Sequence, residues 1–298
     1  MKRSWMMVVV VLTSLCACGG GQRGDDGASS GGRTLIQNKG SDTLVNVAQA
    51  WAEAYKAVDP DVAIAVSGGG SGTGISAMIN GTVDIANASR EMKPEEISAA
   101  EANGIEPLKH IVGYDALAIF LHPDNPISVL SIEQLAGIYG DGGAIETWDQ
   151  LGVNVPGCSS GEIVRVSRQN NSGTYAYFQE AILGDDGDFK LGSRDLNGSK
   201  EVVDLVQATP CAIGYSGLAY ATEGVKLACI GEGSDCVSPS METALDGSYP
   251  IARPLFMYTA GEPTGAIKAY LDWILSREGQ CIIEKQGYAP VGGLITCD

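Results

Sequence analysis

Hydroxyl side chains gather at four short polar turns in this sequence. The turns are Lys39-Gly40-Ser41-Asp42-Thr43, Ser67-Gly68-Gly69-Gly70-Ser71-Gly72-Thr73-Gly74, Ser89-Arg90, and Arg168-Gln169-Asn170-Asn171-Ser172-Gly173-Thr174. Each follows an apolar run and precedes a segment with helical spacing. The first turn of a helix has unpaired backbone N–H groups and a partial positive charge, and glycine lets a ligand oxygen approach the main chain. Serine and threonine add hydroxyl donors, and Arg90 and Arg168 add planar forks suited to an oxyanion. Any one turn has a plainer explanation, since Ser41, Asp42 and Thr43 would serve as helix caps and a glycine-rich turn can arise from packing. Recurrence is what points to a shared anion seat.

Other chemistries fit less well. A G-x-S-x-G nucleophile turn around Ser71 would need glycine where Thr73 stands, and a P-loop would need lysine where Ile75 stands. His110 and His122, the only histidines, lie in or beside apolar stretches and read as structural. No C-x-x-C pair occurs, so neither a metal nor another cofactor is expected.

The elements that must position these turns alternate. Leu35-Ile36-Gln37 reads as a strand, followed by a helix carrying Leu44, Val47, Trp51, Tyr55 and Val58 on one face and stopped by Asp59-Pro60. Val62 to Val66 is a second strand with a helix to Asn80, and Thr82 to Ala88 a third with a helix opened by Pro94-Glu95-Glu96. Three strand–turn–helix units predict an α/β domain with a mainly parallel sheet, which binds ligands beyond the carboxyl ends of its strands. Ile111 to Leu121 reads as a crossing to a second domain. There Ser131 to Gly140 is a short helix with Trp148 in the loop beyond it. The strand Ile163 to Ser167 leads through the arginine-bearing turn to a helix with Tyr175, Phe178, Ile182 and Leu183. Cys211 to Tyr215 and Val225 to Ile230 read as strands, Leu218 to Ala221 as a helical turn, and Ile251 to Tyr258 as the return crossing. Gly265 to Leu275 is a helix, and Tyr288 to Val291 closes the ordered chain.

Lys2 and Arg3 before the apolar core Met6 to Leu12 form a secretory signal over residues 1–17, too short for a membrane span. Leu15-Cys16-Ala17-Cys18 looks like a bacterial lipobox, with Cys18 the expected site of lipidation. Residues 18–33 are polar and glycine-rich and read as a flexible tether. The chain carries a formal charge of −17, and losing the two basic residues of the signal makes it more negative still, so no nucleic-acid partner is expected. Long-range steering would oppose an anionic ligand, which leaves capture to short-range hydrogen bonds and local arginines. Cys158, Cys211, Cys229, Cys236, Cys281 and Cys297 form an even set outside the cytoplasm and predict disulfides. Cys229 with Cys236 is the easiest local pair, and the other pairings stay open.

The ordered motifs Lys39-Gly40-Ser41-Asp42-Thr43, Ser71-Gly72-Thr73-Gly74, Asp84-Ile85-Ala86 running into Ala88-Ser89-Arg90, Arg168 with Ser172-Gly173-Thr174, and Ala212-Ile213-Gly214-Tyr215 together resemble the phosphate-binding proteins of ABC phosphate importers, over roughly residues 34 to 292. The resemblance implies a two-lobed periplasmic-binding-protein fold, type II-like, with two discontinuous α/β domains joined by two crossing strands. Its lobes would be 34–113 with 252–298, and 114–251, with hinges near Val112 to Asp115 and Ile251 to Pro254. It implies a monomer, lipid-anchored on the outer face of a bacterial membrane, that closes around inorganic phosphate and docks on an ABC permease. The expected phosphate-binding residues are Ser41, Asp42, Thr43, Ser71, Ser89, Arg90, Arg168, Ser172, Gly173 and Thr174. Ser89-Arg90 stands where some relatives have an aspartate, and Asn170 where some have an acidic residue. Asp42 is the only acidic residue in the assembled turns. Its carboxylate would accept the proton of hydrogen phosphate and repel sulfate, which has none at neutral pH. Alternative readings are the same fold tuned to another oxyanion or a small organic anion, a sensing role instead of import, and a secreted phosphate-ester hydrolase.

Overall fold

A computed structural model describes residues 33–184 and 186–297. The secretory signal, Cys18 and all but the last residue of the tether lie outside the described residues. Three strands open the first lobe: β1 (Thr34–Gly40), β2 (Val62–Ser67) and β3 (Ile85–Ala88), each followed by a helix, α1 (Val45–Tyr55), α2 (Ser71–Ile79) and α3 (Pro94–Ala102). Strand β4 (Leu108–Leu121) then runs out of that lobe. The second lobe contains β5 (Val129–Leu130), α4 (Ile132–Tyr139), β6 (Val164–Arg168), α5 (Gly173–Phe178), β7 (Arg194–Leu196), α6 (Ser199–Ala208), β8 (Ala212–Gly217), β9 (Lys226–Leu227), β10 (Cys229–Ile230) and α7 (Met241–Leu245). Strand β11 (Ala252–Thr259) returns, and α8 (Gly265–Ile274) and α9 (Arg277–Lys285) complete the first lobe.

Nine of the strands form one continuous sheet in the order β2-β1-β3-β11-β4-β8-β6-β7, with β9 also beside β4, and β5 and β10 pair separately. β1 pairs in parallel with β2 and β3, and β6 in parallel with β7 and β8, as strand–helix–strand units require. The antiparallel pairings belong to the crossing strands. β4 pairs with β11 from Leu108↔Thr259 to Ala116↔Ala252, then with β8 from Leu117↔Gly217 to Leu121↔Ile213. The two segments expected as hinges therefore face each other, with Arg253 opposite Asp115 and Pro254 opposite Tyr114. Tyr114 exchanges backbone bonds with Ala289 on its other side, which ties the C-terminal segment to the crossing.

Strand alternation gives each half of the sheet two apolar faces. In the first lobe Leu255 and Met257 pack with α1, α8 and α9, while Phe256 and Tyr258 pack with α2. In the second lobe Leu117, Ile119 and Leu121 face the larger core, while Ala118 and Phe120 face α6. Trp51 is fully buried on α1 and donates its indole N–H to Gly279 O at 2.7 Å. Truncating it to alanine would cost ~3–5 kcal/mol.

Some elements differ from the sequence reading. The run Val225 to Ile230 is split into β9 and β10, because β10 turns to pair with β5 instead of β4. Helix α5 passes into a π-helical turn, Gln179–Leu183. Helices α6, α7 and α9 were not anticipated; α9 in particular begins with charged residues, and its apolar positions become evident in packing against α1, α8 and the crossing strands. The cysteines pair as Cys158–Cys211, Cys229–Cys236 and Cys281–Cys297, which includes the anticipated local pair.

Candidate functional site

The polar turns meet where the two lobes face each other. At the end of β1 the chain crosses tightly over β3: Gly40 has φ +146°, and a Cβ there would lie 2.1 Å from Asn87 O. Ser41 N is thereby bonded to Asn87 O at 2.9 Å, and Ser41 Oγ donates to Ser89 Oγ at 2.9 Å. Asp42 Oδ1 accepts from Gly69 N at 2.9 Å. Neither Ser41 nor Asp42 caps α1 with its side chain; the N-cap is Leu44, which makes no such bond. The capping explanation for these two residues is therefore replaced by contacts with the other turns.

Gly74 brings α2 against β1, since a Cβ would lie 2.3 Å from Lys39 O. Ser71, the first residue of α2, accepts from Ser89 N at 3.0 Å and lies 3.4 Å from Ser89 Oγ. From the second lobe, Ser172 caps α5 by accepting from Thr174 N at 3.1 Å. Thr174 Oγ1 is 3.0 Å from Thr43 Oγ1, so the two threonines touch across the lobes. A Cβ on Gly173 would lie 2.2 Å from Ser71 Oγ and 2.6 Å from Ser89 Oγ. Ser41, Thr43, Ser71, Ser89, Ser172, Gly173 and Thr174 thus occupy one buried cluster.

Charge enters the cluster in balanced pairs. Arg168 is fully buried at the end of β6, with Nη1 on Ser199 Oγ at 2.9 Å and Nη2 on Asn197 O at 2.6 Å and Asp42 Oδ2 at 3.4 Å. Burial pulls its guanidinium below the ordinary value, and Asp42 opposes that shift. Arg90 departs from the expectation of an anion-facing fork. Its two terminal nitrogens each lie 2.7 Å from a different oxygen of Glu96, and Nη1 also donates to Glu91 O, so this planar fork is committed within the first lobe. Burial raises the Glu96 carboxyl, but the Arg90 and Lys93 bonds outweigh it and hold the group below its usual range.

Arg253, read only as part of a crossing strand, is buried inside the cluster. It pairs with Asp115 at 2.8 Å and reaches Thr43 and Thr174. One signal was available: an arginine and an aspartate, each alone in an otherwise apolar crossing run, are costly to bury unless they meet. Asn171 was also missed as a contact between lobes: its O accepts from Gly72 N at 3.1 Å, and its Nδ2 donates to Gly69 O at 2.9 Å. Tyr220 of the second lobe donates to Asp42 O at 2.7 Å, and Tyr288 donates to Thr43 O. Burial raises both phenols, so they remain protonated donors at neutral pH. Among the described residues no group of three or more His, Cys, Asp or Glu side chains could hold a metal ion.

Two α/β lobes joined by paired crossing strands, with hydroxyls and helix starts facing inward from both, are built to enclose a small anionic solute. Residues 27–278 match the PBP superfamily domain, and the chain belongs to that superfamily and, within it, to the family of PstS phosphate-binding proteins. It is 36% identical over 269 residues to the phosphate-binding protein PstS of Pseudomonas aeruginosa, covering 86% of this chain and 83% of that one. The PstS of Bacillus subtilis is 32% identical over 256 residues, 85% of this chain and 79% of that one. A Clostridium perfringens protein assigned to phosphate ABC transport and solved with bound phosphate superposes with a TM-score of 0.77 at 33% identity, over 87% of this chain and all of that one.

Proposed function

We propose that this protein binds inorganic phosphate between its lobes outside the cytoplasmic membrane and hands it to an ABC-type importer. The observation that carries the reading is the convergence of Thr43, Ser71 and Ser89 from the first lobe with Gly173 and Thr174 from the second in one buried cluster. A phosphate anion taken out of water must have most of its lone pairs met by donors, and neither lobe supplies enough alone. Closure of lobes 34–113 with 252–298 and 114–251 about the crossing strands therefore sets affinity. The PstS relatives support phosphate as the ligand and a binding role in place of catalysis. No helix among the described residues is long and apolar enough to cross a membrane. A monomer tethered through a lipid on Cys18 and docking on a separate permease completes the reading.

The phosphate contacts in this reading are Ser41, Thr43, Ser71, Ser89, Ser172, Gly173 and Thr174 with Arg168, and Asp42 is the proton acceptor. Asp42 keeps one oxygen, Oδ2, only loosely engaged at 3.4 Å from Arg168, while Oδ1 is held by Gly69 N. Calorimetric titration with phosphate and sulfate tests both levels. The wild type should bind phosphate in preference to sulfate, and Asp42→Asn should narrow that preference by tenfold or more, roughly 1.4 kcal/mol. No phosphate binding by the wild type would refute the function, whereas unchanged discrimination in the variant would remove Asp42 from it.

A further inference from the structure

Arg253 stands where a crossing strand meets the polar turns of both lobes. Its side chain is 1% exposed, with the Tyr177 ring alongside at 5.5 Å. Nη2 lies 3.0 Å from Thr174 Oγ1, 3.3 Å from Thr43 Oγ1 and 2.8 Å from Asp115 Oδ2; Nε lies 3.2 Å from the same Asp115 oxygen, and Nη1 donates to Ser89 O at 3.1 Å. A single guanidinium therefore touches the turns of both lobes.

Building on the phosphate reading above, we propose that Arg253 is a ligand-positioning residue that fixes the Thr43 and Thr174 hydroxyls as donors to the anion, and that Asp115 limits how much of the arginine's positive charge the anion feels. A guanidinium has only donors. Each threonine oxygen that accepts from Nη2 must send its own proton elsewhere. With the two oxygens 3.0 Å apart, the only partner they offer one another is a single shared bond, which leaves one proton unspent. An entering oxyanion accepts both protons, while Nη2 keeps both oxygens oriented. The geometry also separates this role from simple strand bracing. A fork dedicated to a carboxylate engages both of its oxygens. Here Nε and Nη2 both use Oδ2, and the outer edge of the guanidinium is turned to Thr43, Thr174 and Ser89.

The charges around Arg253 explain why Asp115 is needed. Arg168 is the second buried cation, close enough for the two guanidiniums to disfavour each other, and Asp42 and Asp115 supply one balancing charge apiece. Asp115 makes the cluster stable before the ligand arrives, at the expense of attraction for the ligand. Removing the arginine and removing the aspartate should therefore move phosphate affinity in opposite directions. If the pair only held the strands together, both changes would weaken binding.

The test is titration of full-length wild type, Arg253→Met, Arg253→Lys and Asp115→Asn with phosphate, together with thermal unfolding of each with and without phosphate. Arg253→Met should weaken binding about 30-fold, ~2 kcal/mol for lost charged hydrogen bonds. Arg253→Lys should recover part of that loss, since it restores the charge without the fork. Asp115→Asn should bind phosphate about tenfold tighter, because it removes a unit negative charge near the anion. It should also unfold at a lower temperature without phosphate and show a larger phosphate-induced rise. Wild-type affinity in Arg253→Met, or weakened binding in Asp115→Asn, would overturn the proposal. Should Arg253→Met not fold, Arg253→Lys and Asp115→Asn still decide it. A wild type that binds no phosphate would overturn the underlying function instead.

Discussion

Replacing Gly173 with alanine would test whether closure between the lobes sets affinity. The added Cβ would sit 2.2 Å from Ser71 Oγ, about 1.2 Å short of the ~3.4 Å at which ordinary contact begins. Rotating the Ser71 hydroxyl away would not relieve it, because Ser71 Cβ is itself 3.0 Å from that point and rotation would forfeit the bond from Ser89 N. The lobes would have to part, or α5 would have to shift. Overpacking of this size costs ~1–3 kcal/mol, which converts to about 5- to 140-fold weaker phosphate binding. Within its own lobe the change is harmless, since Gly173 is the first residue of α5 and alanine favours helix. Calorimetry should show the loss of affinity, small-angle scattering should show less compaction with phosphate, and the ligand-free unfolding midpoint should hold or rise. Phosphate affinity within twofold of wild type would show that Ser71 and Gly173 need not meet and would refute the reasoning.

Arg90→Met should change phosphate affinity less than about threefold, because its fork is held by Glu96, while lowering stability by roughly 1 kcal/mol or less after solvent screening. A loss as large as that expected of Arg253→Met would return Arg90 to the site. The same pair predicts a pH effect. The folded Glu96 carboxyl is held below its usual range, so its stabilisation is full above about pH 5 and is lost as pH falls through the folded value. The stability advantage of wild type over Glu96→Gln in urea should shrink accordingly on acidification. Breaking the disulfides singly by paired serine substitution should destabilise in the order Cys158–Cys211, Cys281–Cys297, Cys229–Cys236. Their separations of 53, 16 and 7 residues correspond to ~4, ~3 and ~2 kcal/mol of loop-closure entropy. Denaturant midpoints in a different order would show that local packing outweighs chain entropy here.

The local units are legible from short stretches of the chain. Helical spacing from Leu44 to Tyr55, the β-branched runs of β2 and β6, and glycine with hydroxyls at their ends are short-range patterns, and they placed Ser71, Ser172, Gly173 and Thr174 at helix starts before any fold was known. The order of those turns also carried the family resemblance, because a receptor that wraps one anion must repeat the same local solution on several strands. How the charges pair depends instead on packing between distant parts of the chain. Arg90 and Arg168 look alike in the sequence, but Glu96, six residues from Arg90, captures the first, while the lobe-to-lobe approach brings Asp42 to the second. Arg253 and Asp115 are 138 positions apart, and although each is a lone charge in an apolar run, no short-range pattern says which partner it will meet. They meet because β4 and β11 run antiparallel side by side as far as Ala116↔Ala252, which sets Arg253 opposite Asp115. Such long-range pairing is fixed by burial and sheet topology acting on the whole chain, and a buried charge acquires its partner only when that packing is complete.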